Sequence, residues 1–544
     1  MNRPVFVASL LSVLVVLGTG CGKSDDEPEP LPEQPLLAPG GACDPDRLPA
    51  ADTPDPEDDK DPQPVCAPGL ACEPLADGDG HVCGTALSIR GRVTDSATGV
   101  GIEGALIAAF NEIGEPVTDV VATDACGDYV LPVGVRREAD GSYAESLKWT
   151  LSASASDYQP FPTGLRPALP IDMADAAPVP AEPADPDAEA TDAEKYDAAE
   201  IRNAATSVAM ISLGAAAQGV RVAGTLGADA AGTLVVAEGA EAPAPYAIAD
   251  ASGAYTLFNV PAGAATIRGY RQGVEVEPKQ LDVGALDLDG VDLNVVTTDA
   301  AQLATVSGSL NIVNAPGGSL TSVVLVPASV YNEALERGPV PLGLRDPPPP
   351  GAPDVTSAFS LASVPAGTYK VLVAFENDLL VRDPDEGIAG TQIQEIVVDR
   401  GGAVAVADAF KVTEALAVRG PGADAPEEVE PKPTFVWADD SSEDGYTIVV
   451  YDALGTNVWS TEIPGVKGSA DVSLDYGGPA LQPGMYYQFR VTSWRESMGD
   501  RSNISRTEDL RGVFVHGEAP PMAECTVEDT TGGDESGGSS GGTG

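Results

Sequence analysis

Apolar and polar positions alternate in short runs along most of the chain, with turn residues between the runs. Leu87-Ser-Ile-Arg-Gly-Arg-Val-Thr-Asp95 has period two, the spacing of a half-buried β-strand. Ala105-Leu-Ile-Ala-Ala-Phe110 predicts the returning strand after a turn over 98–104. Further along, Asp250-Ala-Ser-Gly-Ala-Tyr-Thr-Leu-Phe-Asn-Val-Pro-Ala-Gly263 reads as a turn, a strand with Tyr255 and Leu257 on one face, and a second turn into a strand from Ala265. The same order returns at Ala358-Phe-Ser-Leu-Ala-Ser-Val-Pro-Ala-Gly367 and, more weakly, at Thr123-Asp-Ala-Cys-Gly-Asp-Tyr-Val-Leu-Pro132. Three copies of one pattern predict tandem small β domains. Thr206 to Leu213 reads as one more strand, closing the first domain, and Ala188 to Asn203 as a short helix.

The N-terminus breaks the alternation. After Arg3, Val5 to Leu17 is a largely apolar run, too short to span a bilayer but suited to a signal sequence. Leu17-Gly-Thr-Gly-Cys21 follows and resembles a bacterial lipobox, with Gly18 where Leu is usual. That resemblance implies a lipidated Cys21, and Gly22 in place of Asp implies the outer membrane; an ordinary secretory signal is the alternative. Acyl chains at about 0.8 kcal/mol per buried CH₂ would make the anchor firm. The expected division is then residues 1–20 as signal peptide, 21–42 as an acidic Pro-rich tether, and 43–85 as a Cys-rich segment. Sandwich domains follow at 86–215, with an Ala/Pro/Asp-rich insertion over 167–203, and at 219–298 and 303–411. The third carries an insertion ending in Pro347 to Pro350. A fourth domain covers 412–516, and 517–544 is a Gly/Ser tail, flexible by composition.

Gly91-x-Val-x-Asp, Thr98-Gly99, Ile102-x-Gly-Ala and Thr123-Asp-x-x-Gly-x-Tyr-x-Leu together resemble the carboxypeptidase regulatory-like domain. The resemblance implies a small Greek-key β-sandwich, related to transthyretin-like and starch-binding-like folds. Cys126 departs from the family pattern in its turn, which suggests a local disulfide. The second and third domains keep the aromatic strand and Pro-Ala-Gly but not the opening turn. Leu481-Gln-Pro-Gly-Met-Tyr-Tyr487-Gln-Phe-Arg-Val resembles the tyrosine-corner segment of fibronectin type III domains, which gives Tyr487 the corner role and Trp437 a core role. The fold class is all-β: tandem Greek-key sandwiches with a small disulfide-rich segment and disordered linkers.

Composition narrows the function. Over 544 residues, 83 acidic against 30 basic side chains give a formal net charge of −53, which excludes nucleic acid as a partner because phosphate neutralisation requires Lys and Arg. Besides Cys21 there are six cysteines, Cys43, Cys66, Cys72, Cys83, Cys126 and Cys525, and an even number in an exported chain favours disulfides. Zinc is the competing reading, but CxxC spacing is missing and only His81 is close in sequence. Gly99-x-Gly101-x-x-Gly104 lacks the strand-to-helix frame of a dinucleotide loop, and Gly537-x-Ser539-x-Gly541 lies in low-complexity tail. With only His81 and His516, the chain lacks the clustered ligands of a zinc carboxypeptidase.

Two binding candidates are left. Asp287-x-Asp289-Gly-x-Asp292 offers oxygens for calcium but not the EF-hand ligand order. Trp494, following a strand, is a candidate platform for sugar stacking, with core packing as the alternative. The expected function is non-enzymatic: an envelope lipoprotein acting as spacer, scaffold or adhesin, held to the membrane by its lipid, with no cofactor. A carbohydrate- or peptide-binding protein, contacting a glycan or another envelope protein, is the first alternative. A calcium-dependent adhesin is the second.

Overall fold

The computed structural model describes residues 35–517 apart from 46–63, 112–113, 163–167, 180–197, 215–217, 240–242, 314–320, 334–337, 347–354, 356, 376–380, 383–392, 408–409, 414, 441, 454–455, 467, 469, 498 and 508–510. The signal segment, Cys21, Cys525, the Gly/Ser tail, Pro347 to Pro350 and most of the 167–203 insertion lie outside the described residues. Within them every regular element is a strand or a single 3₁₀ turn, so the chain is all-β. No helix among the described residues is long and apolar enough to cross a membrane.

The Cys-rich segment is a hairpin, Leu70–Pro74 against His81–Thr85, with a short parallel pair, Leu36–Leu37 and Val65–Cys66, beside it. Two interleaved disulfides, Cys43–Cys72 and Cys66–Cys83, cross-link it. Cross-links replace packing where so few apolar side chains are available.

In the first sandwich the central strand is Leu87–Asp95, whose alternation is realised as strict in–out burial. It pairs antiparallel with Asp128–Val133, and parallel with Ala199–Ile201 along its first half and Val208–Met210 along its second. Residues 199–201 are therefore strand where the sequence reading expects helix. Three residues are too few to show a period, and the edge offered by Leu87–Asp95 decides their conformation. The facing sheet runs Ile171–Asp172, Lys148–Ser154, Leu106–Phe110, Val121–Ala122. Between the sheets lie Ile89, Ile107, Leu131, Trp149 and Leu151, all buried.

The second and third sandwiches repeat the plan. Val220–Thr225 pairs antiparallel with Ala254–Val260, and Ala304–Val313 with Ala358–Val364, each with a bulge near its start. Their second sheets are built on Gly263–Arg271 and Gly367–Phe375. Phe410–Thr413 pairs parallel with Ala304–Val313, so the third sandwich extends to Thr413, slightly past the expected boundary at 411. In the fourth, Val418–Gly420, Thr434–Ala438 and Asp471–Asp475 face a sheet built on Gly445–Asp452 and Tyr486–Ser497. Its core is aromatic: Phe435 stacks on Phe489 at 4.5 Å between centroids, and Trp437 meets Tyr446 edge-on at 5.5 Å.

Cores continue across the sandwich boundaries. Leu234, Val236 and Tyr270 of the second sandwich belong to the same buried cluster as Val323, Leu325 and Tyr369 of the third. Ala453, Met485 and Tyr486 of the fourth pack on the core of the first. Arg345 of the third is buried, donates to Ser322 Oγ at 2.6 Å, and lies within the field of Glu115 in the first.

Candidate functional site

The repeated strand shows why its residues recur. Asp124 Oδ1 accepts from the amides of Cys126 and Asp128, and Asp250 Oδ1 accepts from the amides of Ser252 and Ala254, so both carboxylates close the same Asx turn. Five residues after each Asp, at the second residue of the strand, the Tyr hydroxyl reaches across the sandwich. Tyr129 donates to the Thr206 carbonyl and Tyr255 to the Val291 carbonyl, each at 2.5 Å. The partner strand must then be glycine where that chain crosses: a Cβ on Gly91 would sit 1.9 Å from Thr206 O, and one on Gly224 2.2 Å from Val291 O. These are structural roles. Burial pushes both phenol pKa values well up, so neither hydroxyl is poised to ionise.

Asp287, Asp289 and Asp292 are gathered on one loop but already engaged. Arg221 places Nη2 2.7 Å from Asp289 Oδ1 and Nε 3.6 Å from Asp287 Oδ2, while its amide donates to Asp287 Oδ1. Asp292 Oδ1 accepts from the Thr225 amide. The cation facing this loop is thus a guanidinium. Among the described residues, the groups of acids and cysteines close enough to share an ion are instead Cys43, Cys66 and Cys83, and Asp124, Cys126 and Asp128. Neither suits a metal. The first three sulfurs are in disulfides, Asp128 is held by Arg92 at 2.6 Å, and Cys126 is itself disulfide-bonded.

Trp494 is half-buried. The Arg501 guanidinium lies 4.0 Å from the ring centroid, and Gly445 packs so close that a Cβ there would be 2.3 Å from Trp494 Cζ2. Arg501 is held over the ring by Thr447 Oγ1 at 2.6 Å and Glu462 Oε1 at 2.8 Å. A sugar stacking on that face would have to displace it. Trp149 and Trp437 are fully buried, and the Tyr487 hydroxyl accepts from the Gln482 amide at 2.8 Å, the contact expected of a tyrosine corner.

Among the described residues, one deeply buried charge pair has no signal in the sequence. Arg137, 1% exposed, places Nε 2.5 Å from Glu73 Oε2 and donates to the carbonyls of Thr85 and Gly141, with its guanidinium 4.3 Å from the centre of the Tyr143 ring. Glu73 also accepts from the Val135 amide. Burial raises the Glu73 pKa, with Arg137 pulling the other way. The pair bonds the Cys-rich hairpin to the first sandwich. A cavity of ≈ 40 Å³ lies at the seam between Leu106–Phe110 and Tyr246–Ile248. It is far below the roughly 300 Å³ at which small-molecule sites begin.

The chain matches no protein-family model and no curated protein. Solved structures with partial likeness include the Bacillus anthracis TIE protein (11% identity over 77% of this chain and 68% of that one, TM-score 0.12). Two B repeat units of the Staphylococcus aureus collagen-binding protein are similar at 10% identity, covering 78% of this chain and 99% of theirs, TM-score 0.15. Fibronectin(III)-like modules of Clostridium thermocellum CbhA are similar at 8% identity, covering 42% and 95%, TM-score 0.13. Scores this low carry no argument about this chain, whose all-β architecture rests on its own sheets.

Proposed function

We propose that the chain is a non-catalytic, lipid-anchored protein of the bacterial cell envelope. In this reading Cys21 bears the lipid, carboxypeptidase regulatory-like and fibronectin type III-like sandwiches form its body, and the body presents loops to a glycan or protein outside the membrane. The observation that carries the mechanical part is the continuity of buried clusters from the second sandwich into the third and from the fourth onto the first. A set of domains sharing core side chains acts as one stiff body, whereas independent beads turn about their linkers. Its work is then to hold surfaces in fixed relative positions.

Two measurements test the two halves separately. Metabolic labelling with a fatty acid should mark the wild-type chain and not Cys21→Ser; equal labelling of both would remove the anchor. Small-angle scattering of the mature chain should give one compact pair-distance peak. Several separated peaks, as from beads on a string, would overturn the stiff body.

A further inference from the structure

The turn that follows the repeated aromatic strand lies at a unit boundary in all three sandwiches. In the second sandwich the strand Ala254–Val260 enters that turn through a bulge at Asn259, whose φ of 57° is the left-handed region. Asn tolerates it better than most residues, because its short polar side chain bonds locally. Here the side chain bonds outward. Asn259 Nδ2 donates to the Ala155 carbonyl at 3.1 Å and the Tyr158 carbonyl at 2.8 Å, and its Oδ1 accepts from the Asp157 amide at 2.8 Å. All three partners lie on one turn of the first sandwich, just after the strand Lys148–Ser154.

The third sandwich places Ser363, φ 58°, at the same point of its strand. Its carbonyl accepts from the Gly273 amide at 2.9 Å, and the neighbouring Ala362 carbonyl accepts from Gln272 Nε2 at 3.0 Å. The receiving residues form the turn after Gly263–Arg271, the strand of the second sandwich that occupies the place of Lys148–Ser154 in the first. Three residues after Ser363, the Ala366 amide donates to Glu275 Oε2 at 2.9 Å. Gly367 lies against Tyr270, where a Cβ would come within 2.6 Å of the ring. In the first sandwich the corresponding turn carries Val135 and Arg137, and these grip Glu73 of the Cys-rich hairpin.

We propose that this turn is a docking joint. Each sandwich uses it to lock onto the unit before it in the chain, and the side chains around it make the joints non-interchangeable. The position recurs while the chemistry changes: a buried ion pair, then an amide fork onto two carbonyls, then backbone contacts assisted by Glu275. A joint built from one chemistry leaves polar groups unpaired if offered another unit's receiving turn; that mismatch costs most at the buried Glu73–Arg137 pair and less at the half-exposed joints of Asn259 and Ser363. This deepens the stiff-body reading and rests on it; the test is local, so the two can fail separately.

The test is amide hydrogen exchange on the full-length chain. Asn259→Gly keeps the backbone conformation accessible and removes only the fork. The expected result is exchange at Asp157 faster by about tenfold or more, with the Leu257 and Ile267 amides in the second sandwich's own strands still protected. Asn259→Asp keeps an acceptor for the Asp157 amide but sets a carboxylate oxygen against the Ala155 and Tyr158 carbonyls, which repels the side chain from the turn, so it too should release Asp157. Ser363→Gly, whose joint uses the backbone, should leave Gly273 exchange unchanged, whereas Glu275→Ala should release Ala366. Unchanged Asp157 exchange in both Asn259 variants would overturn the proposal. So would a loss of protection at Leu257 equal to that at Asp157, which would make Asn259 a residue of its own domain.

Discussion

At the scale of single residues, the side chains that matter most are polar groups closing a crossing or a seam. Tyr255→Phe removes the hydroxyl bonded to Val291 O and leaves that carbonyl unpaired in the interior. It should cost about 1 kcal/mol, read by denaturant melting. The third sandwich has Phe359 at the equivalent point, so the ring itself should still pack. Acid titration should act in opposite directions at two kinds of carboxyl. The Arg92 guanidinium bonded to Asp128 holds that carboxyl below the usual range, and the Thr98 amide and hydroxyl do so for Asp95. Stability from such groups is present above their unfolded pKa of about 3.9 and is lost as pH falls through the lower folded value. Asp175 behaves otherwise. It lies at the seam between first and fourth sandwiches, where its Oδ2 accepts from Asn203 Nδ2 at 2.9 Å and from the Tyr486 hydroxyl at 3.2 Å, and burial raises its pKa. Its contribution is present at low pH and lost as pH rises through the raised folded value. Asp175→Asn should therefore show a smaller loss of Tm than wild type as pH rises from about 4, near the unfolded carboxyl value, to 7; an unchanged or larger one would refute the assignment.

Among elements, the sequence discloses those that carry their own pattern. Leu87–Asp95 alternates because one face is buried, and Asp250, Gly253 and Tyr255 announce a turn and a strand by residue type alone. The strands that escape it are those made by their partners. Ala199–Ile201 and Phe410–Thr413 are too short to show a period and exist as strands because an edge with unpaired amides lies beside them. The joints escape for a related reason, since Asn259 looks like an ordinary turn residue until its partners, about 100 residues away in sequence, are in place. The disulfide pairs were open in the sequence for the same cause: spacing says that cysteines pair, and only the fold says which. Replacing Cys66 and Cys83 by Ser should cost about 3 kcal/mol. It should free the amides of the hairpin Leu70–Pro74 and His81–Thr85 to exchange while those of Leu87–Asp95 stay protected; equal exposure of both would mean that the hairpin and the first sandwich fold as one unit.

For the whole molecule, the dominant quantity is charge. A net −53 on a body whose domains touch along several seams places like charges close together. Raising NaCl from about 10 mM to about 150 mM at neutral pH shortens the Debye length from roughly 30 Å to 8 Å, and should raise Tm. A flat or falling Tm would mean that acids and bases are locally balanced at the seams.

The parallel pairing at the two ends of a sandwich has a mechanical consequence. In the first sandwich the entering strand, Leu87–Asp95, lies parallel to the departing one, Val208–Met210, and in the third Ala304–Val313 lies parallel to Phe410–Thr413. A pull applied to the two ends of such a sandwich slides the terminal strands past each other, so their hydrogen bonds bear the load together instead of parting one after another. The first and third sandwiches are thus shear clamps in series. Single-molecule stretching should show them yielding at forces well above those that peel a hairpin apart, and a trace in which they give way at hairpin-like forces would contradict the geometry.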